Sequence, residues 1–254
     1  MTLGKDLAPH LPFLRRYARA LAGSQRIGDA LVRTALETIV ADPGRFPRDV
    51  DLRMGLYAAL MGQWDLKRER DLHRESEGLA SIDSRPRQAL LLTEMEGFTP
   101  EDAGYLMGCD RNEVERLAAE ACSEIERQPP IDVLIIEDEP MIAMDLEQLV
   151  TDLGHRVTDI AVTHEEAVAT ARAMRPGLVL ADIRLADESS GIEAVQEILQ
   201  EFSLPVIFIT AYPERLLTGE RPEPAFLITK PFQPSTIKAA IGQALYFRRT
   251  MTNA

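Results

Sequence analysis

Two units of different fold class are predicted along these 254 residues, an all-α unit followed by an α/β unit on a five-stranded parallel sheet. Three observations predict them. Apolar residues keep a helical period as far as Arg127. Pro129-Pro130 then interrupts the chain, and beyond it short β-branched runs alternate with helical stretches.

In the first unit Leu11, Leu14, Ala18 and Leu21 share one helix face, followed by Leu31, Ala35 and Ile39 and then by Leu52, Leu56 and Leu60. Asp42-Pro43-Gly44 and Arg45-Phe46-Pro47 break these helices, and Ser81–Pro86 separates an upstream group from a downstream one. The downstream group ends in two helices with marked starts. Thr99-Pro100-Glu101-Asp102 supplies cap, proline and acid, and Asp110 with Glu113 resembles a capping box. Gly108 falls at the turn between them, with Gly104 before it and Val114 and Leu117 after it.

In the second unit Ile131–Ile136, Arg156–Val162, Leu178–Ala181, Pro205–Thr210 and Ala225–Thr229 read as strands. Pro140–Leu153, Glu165–Arg175, Gly191–Phe202 and Pro234–Phe247 read as helices, and the proline-rich Pro213–Pro224 as a short or irregular one. Strands alternating with helices imply a parallel sheet covered on both faces. The domains are therefore placed at residues 1–127 and 131–254. The linker reaches only roughly 10 Å at ~3.3 Å per residue, so the two halves are expected to lie close together.

Composition excludes several classes. No apolar run approaches the ~18 residues of a membrane span. The N-terminus lacks the basic-then-apolar order of a signal peptide. Cys109 and Cys122 are the only cysteines and form neither a CxxC nor a metal-ligand spacing, so a reduced, cytoplasmic protein is expected. Residues 1–130 carry 18 basic and 22 acidic side chains, a net of −4, and residues 131–254 carry 10 and 19, a net of −9. Neither balance suits a nucleic-acid binder, whose affinity rests on Lys and Arg neutralising phosphates.

Three strand ends carry chemistry. Ile131–Ile136 runs into Glu137-Asp138-Glu139, Leu178–Ala181 ends at Asp182, and Ala225–Thr229 ends at Lys230-Pro231. In an open parallel sheet the carboxyl ends of neighbouring strands form one crevice. Glu137, Asp138 and Asp182 can thus converge there, with Lys230 and the Thr210 hydroxyl at the rim. Three carboxylates repel one another unless a cation sits among them, and oxygen-only ligands suit Mg²⁺.

The segments VLIIEDEP, LVLADIRLADESSGIEA, PVIFITAYP and FLITKPF resemble the signatures of bacterial receiver domains, which have a flavodoxin-like fold. The resemblance implies that Asp182 is the phosphoacceptor, with a histidine kinase as phosphodonor. Glu137 and Asp138 are similar to the pair that holds Mg²⁺, and Arg184 would lend its backbone carbonyl to the metal. It further implies that Thr210 and Lys230 contact the phosphoryl group, that small Ala211 leaves room for it, and that the Lys230–Pro231 bond is cis. Two positions depart from the receiver pattern. Glu137 stands where Asp is commoner, and Leu227 stands where receivers usually carry an aromatic switch residue, with Phe226 on the other strand face.

LPFLRRYARALAGSQRIGDALVRTALETIV resembles region 2 of small extracytoplasmic-function sigma factors (residues 1–64). RPRQALLLTEMEGFTPEDAGYLMGCDRNEVERLAAEACSEI resembles their helix-turn-helix region 4 (residues 80–127). A DNA-reading second helix should be basic. Residues 110–126 instead hold two arginines against six acids, a net of −4. Sigma-like shape without sigma-like charge suggests a decoy for an anti-sigma factor.

The order, sigma-like part first and receiver second, closely resembles the PhyR family of general stress-response anti-anti-sigma factors. That resemblance implies a regulator rather than an enzyme, in which phosphorylation frees the sigma-like domain to sequester a NepR-type anti-sigma factor and release the stress sigma factor. In the resting state the two domains would dock on each other through Pro213–Pro224, the Ala225–Thr229 strand and the Pro234–Phe247 helix. A DNA-binding response regulator is the alternative, disfavoured by the charge of the second helix, so neither direct DNA binding nor membrane association is expected. A phosphatase of haloacid-dehalogenase type would need a second Asp where Arg184 stands.

Overall fold

The computed structural model describes residues 3–23, 25–47, 49–72, 85–185, 189–212 and 226–252. The chain divides into two compact units, Met1–Cys122 and Ser123–Ala254. No described helix is long and apolar enough to cross a membrane. The Pro213–Pro224 segment, read above as a short or irregular helix, lies outside the described residues.

The first unit is helical: α1 (Leu3–Leu7), α2 (Leu11–Ala22), α3 (Gln25–Ala41), α4 (Leu52–Leu72), α5 (Arg85–Leu90), α6 (Pro100–Met107) and α7 (Arg111–Glu126), whose last turn belongs to the second unit. Most of the periodic residues are in the core: Leu14, Ala18, Ala35, Leu56 and Leu60 are fully buried, and Leu11 is half-buried. Leu52, which opens α4, is 37% exposed. α2 and α3 touch backbone to backbone at Gly28, where an added Cβ would sit 2.6 Å from the Arg19 nitrogen.

The helix-turn-helix forms as its start signals require. The Thr99 hydroxyl accepts the Asp102 N–H at 3.1 Å, capping α6, and Asp110 Oδ1 accepts the Glu113 N–H at 2.9 Å, capping α7. Gly108 closes α6 at φ +64°, a left-handed conformation that favours glycine. Val114 and Leu117 are buried. Between α5 and α6 the sequence pattern gives no warning of a π turn, Leu91–Met95, which shifts the helical register before Glu96.

The second unit is a parallel sheet of order β2-β1-β3-β4-β5, with β1 (Asp132–Ile136), β2 (Arg156–Ala161), β3 (Leu178–Ala181), β4 (Val206–Thr210) and β5 (Phe226–Thr229). Helices α8 (Pro140–Asp152), α9 (His164–Met174), α10 (Gly191–Glu201) and α11 (Pro234–Thr252) connect or follow the strands. β1, β3 and β4 are central and almost wholly buried, as β-branched runs without polar alternation demand. Leu227 joins a cluster with Leu134, Val179 and Phe208. Phe226, adjacent in the strand and so on its opposite face, is buried as well. Ile125, from the last turn of α7, fills a notch at Gly242 of α11, and Gln128 Nε2 donates to the Gly242 carbonyl at 2.9 Å.

Gly28→Ala will force α2 and α3 apart, and overpacking of this kind costs about 1–3 kcal/mol. Denaturant melts of the full chain will show the loss. An unchanged midpoint would mean that the two helices do not depend on this contact.

Candidate functional site

Strand register brings the chemistry-bearing residues together. Ile136 pairs with Ala181, so β1 and β3 end at one level, while Ala181 pairs with Phe208, so β4 and β5 run two residues further, to the Thr210–Thr229 pair. The residue after each strand end then leaves the sheet on the same edge. Asp182 is anchored by donating its N–H to the Ile136 carbonyl at 2.8 Å, and Glu137 by donating its N–H to the Ala161 carbonyl at 3.0 Å.

One oxygen each of Glu137, Asp138 and Asp182 lies within 4.8 Å of the others. Lys230 Nζ binds Asp182 Oδ2 at 2.6 Å and Glu137 Oε1 at 3.0 Å. It also reaches Glu139 Oε1 at 3.2 Å. Sequence reasoning did not single out Glu139; its only signal was membership of the acidic run after β1. Glu137 is 1% exposed and Asp182 7%, whereas Asp138 is half-buried.

Burial and charge pull against each other here. Desolvation pushes the Glu137 carboxyl up to about 7 despite its hydrogen bond to Lys230, and the neighbouring Asp182 charge adds to the rise. Burial also works against the Lys230 ammonium, but its bonds to Asp182 and Glu137 outweigh it and carry the pKa up to about 12. One ammonium therefore does not fully compensate the carboxylates.

The rim residues fall around this group. Thr210 is fully buried, and its hydroxyl accepts the Tyr212 N–H at 3.2 Å. The Thr210 carbonyl accepts the Lys230 N–H at 2.8 Å, which ties β4 to the residue that follows β5. Ala211 is exposed beside it, and the Lys230–Pro231 peptide is cis. The Arg184 N–H points at Asp182 Oδ1 over a long 3.4 Å, while its guanidinium stands 5.2 Å from the Tyr212 ring centre. Gly191, which opens α10, was also missed by sequence reasoning. A Cβ there would lie 1.8 Å from the Asp182 carbonyl oxygen, so only glycine lets α10 start against this turn.

The donor set fits a hard divalent cation. All three groups are carboxylates, and Lys230 Nζ lies against both Glu137 oxygens, Oε1 at 3.0 Å and Oε2 at 2.9 Å. One ammonium shared among buried carboxylates leaves oxygen lone pairs on Glu137, Asp138 and Asp182 for a further positive ligand.

Comparison with known proteins agrees with this geometry. The chain matches the sigma2 domain of PhyR over residues 7–61, the PhyR sigma-like domain over 79–128 and the response regulator receiver domain over 133–242. It is 49% identical over 259 residues to the phyllosphere-induced regulator PhyR of Methylorubrum extorquens, covering 98% of this chain and 97% of that protein. The chain belongs to the PhyR family. PhyR of Brucella abortus superposes with a TM-score of 0.88 at 50% identity, covering 99% of this chain and 97% of that one. The anti-anti-sigma factor PhyR of Bartonella quintana superposes at 0.89 and 48% identity, covering 99% of both. That Bartonella protein has also been crystallised with the anti-sigma factor NepR. The PhyR family membership makes the first unit a sigma-like domain and the second a receiver domain with a five-stranded parallel sheet.

Gly191→Ala will displace the Asp182–Ile183 turn, because the new methyl group and the Asp182 carbonyl cannot share one position. Backbone NMR shifts at Asp182, Ile183 and Arg184 will move well beyond those elsewhere in the sheet. Shifts confined to α10 would show that the turn does not depend on this glycine.

Proposed function

We propose that this chain is a phosphorylation-controlled anti-anti-sigma factor: with Asp182 phosphorylated, its sigma-like unit sequesters a NepR-type anti-sigma factor and so releases a stress sigma factor. One observation carries the reading. The second helix of the helix-turn-helix keeps its fold but offers phosphates nothing. Arg111 is bound to Glu115 at 2.7 Å and Glu101 at 2.9 Å, and Arg116 to Glu113 at 2.8 Å and Glu120 at 3.0 Å. Both arginines of that helix are thus engaged by carboxylates on a face of net negative charge, the opposite of a recognition helix. The same observation weighs against the DNA-binding alternative.

The receiver half supplies the switch. Asp182 Oδ attacks the phosphorus of a phosphohistidine on the kinase; a P–O bond forms as the P–N bond breaks and the imidazole leaves. Glu137, Asp138, Asp182 and the Arg184 carbonyl would hold Mg²⁺, which when bound neutralises charge on the phosphoryl oxygens. Lys230, already against Asp182, pairs with one of those oxygens, the Thr210 hydroxyl turns from Tyr212 to another, and Ala211 leaves the space open. The chemistry is positioning and electrostatics, and the turnover is limited to slow hydrolysis of the chain's own acyl phosphate. The domains extend over 1–127 and 131–254, joined by a linker so short that each sees the other at an effective concentration of roughly mM or above. Even weak docking therefore keeps the unphosphorylated chain closed, and a few kcal/mol of differential affinity is enough to open it. A histidine-kinase phosphodonor and two cysteines that form no disulfide support a cytoplasmic setting.

Asp182→Asn will abolish hydroxylamine-labile labelling by acetyl phosphate and Mg²⁺, and with it the phosphodonor-dependent capture of a NepR-type protein. Persistent labelling of that variant would put the acceptor elsewhere. Glu137→Ala will weaken Mn²⁺ binding, followed by electron paramagnetic resonance, by about tenfold or more, because it removes one of three charged ligands. Unchanged Mn²⁺ affinity would take Glu137 out of the metal site. A gel shift with promoter DNA will show no specific band for the phosphorylated or the unphosphorylated chain, and a specific footprint would restore the DNA-binding reading.

A further inference from the structure

We infer that Glu96 is a positioning residue for partner capture: its carboxylate clasps the helices of Leu3–Leu72 onto those of Arg85–Cys122 and sets the register in which the sigma-like unit meets its partner. The inference rests on the anti-sigma reading above and deepens it.

The contacts reach the Met95–Glu96 turn from two separate helices, α2 and α4. Glu96 Oε1 accepts Arg16 Nε at 3.2 Å and Arg16 Nη2 at 2.9 Å, both from α2. Glu96 Oε2 accepts the Tyr57 hydroxyl of α4 at 2.6 Å. The Glu96 carbonyl accepts Arg53 Nη2, also of α4, and the Met95 carbonyl accepts Arg16 Nη2 at 3.3 Å. The Glu96 side chain is 1% exposed and that of Arg16 8%. An aromatic row of Tyr17, Tyr57 and Phe98 packs around them with ring centres 5.2 and 4.9 Å apart, and the Arg53 guanidinium lies 4.1 Å from the centre of the Phe98 ring.

The backbone is shaped to deliver this carboxylate. The Glu96 N–H bonds the Leu91 carbonyl at 3.0 Å, five residues back, and Gly97 then reverses the chain at φ +68°. In an uninterrupted α-helix the side chain would emerge about 100° away per residue of register, off the Arg16–Tyr57 face. π turns recur where a side chain must be re-aimed for function.

Stability alone does not explain such a clasp, since apolar residues of equal volume hold a core as well as a buried ion pair does. What apolar packing lacks is direction. Two guanidinium N–H bonds to Oε1 and a phenol on Oε2 fix the relative placement of the two helix groups. A decoy that is recognised by its shape gains from that placement being set before binding, because a partner then does not have to order it. The carboxylate is too deeply buried to touch a partner itself, so its effect must pass through the helices it holds.

The test uses the full-length chain as Glu96→Gln and as the paired Arg16→Met/Glu96→Leu variant, which fills the core without a directional bond and keeps the idea testable if the single variant unfolds. Acetyl phosphate will label both to the wild-type extent, since the receiver is untouched. Amide exchange in α2 and α6 will quicken, and the affinity of the phosphorylated chain for a NepR-type protein will fall about tenfold if the competent register drops to about a tenth of the population. A folded paired variant that binds this protein as tightly as wild type, with unchanged exchange, would overturn the clasp. If the phosphorylated wild type itself does not bind, the anti-sigma reading fails, and exchange alone then decides: faster exchange in α2 and α6 upholds the clasp, and unchanged exchange removes it.

Discussion

Three carboxylates crowded at one edge of a parallel sheet need positive charge, and the α/β unit is arranged around supplying it. Lys230 does so only because β5 ends level with β4 and the Thr210 carbonyl holds its backbone in place. The ammonium is largely buried, so its attraction to Asp182 and Glu137 is little screened. Glu137 nevertheless remains a reluctant anion, because its desolvation is larger than what one shared cation returns. That residual deficit gives the site a reason to take up further positive charge, and gives any change of charge at Asp182 a direct route into Lys230 and β5.

The helical unit solves a related problem differently. Arg16, Arg19 and Arg87 are buried among helices whose core is otherwise mostly apolar. Arg19 forms a bidentate pair with Asp29 at 2.8 and 2.9 Å, tying α2 to α3, and Arg87 reaches the Ala20 carbonyl from α5. Directional bonds of this kind cost desolvation and return orientation. In one unit buried charge creates a reactive edge; in the other it sets helix placement.

Much of this was legible in the sequence, and for identifiable reasons. β1 and β3 are continuous apolar runs that end at charged residues, so their ends, and hence the positions of Glu137 and Asp182, follow from local pattern. The caps at Thr99 and Asp110 are local too, made within three residues of each helix start. What escaped depends on distant approach. Gly191 matters because of where the Asp182 carbonyl lies, and Glu139 because Lys230 arrives from β5. The π turn before Glu96 has no propensity signature, and its reason becomes visible only when Arg16 and Tyr57 are seen on the far side of it. Leu227 was read correctly as lacking an aromatic ring, yet its burial with Phe208 comes from the sheet face it shares, which the local pattern does not specify.

The carboxylates that engage Arg111 and Arg116 have a consequence for how the helix-turn-helix responds to ionic strength. In dilute salt, where the Debye length is about 30 Å at 0.01 M, phosphates attract cations over the longest range. The Arg–Glu pairs are tightest under those same conditions, and the net charge of the helix repels most strongly. In concentrated salt the pairs loosen and the arginines swing out, but the phosphates are by then screened to about 3 Å at 1 M. Screening weakens the helix's repulsion of phosphates and its own Arg–Glu pairs together, so a change of ionic strength alters the size of its net negative field but not the sign.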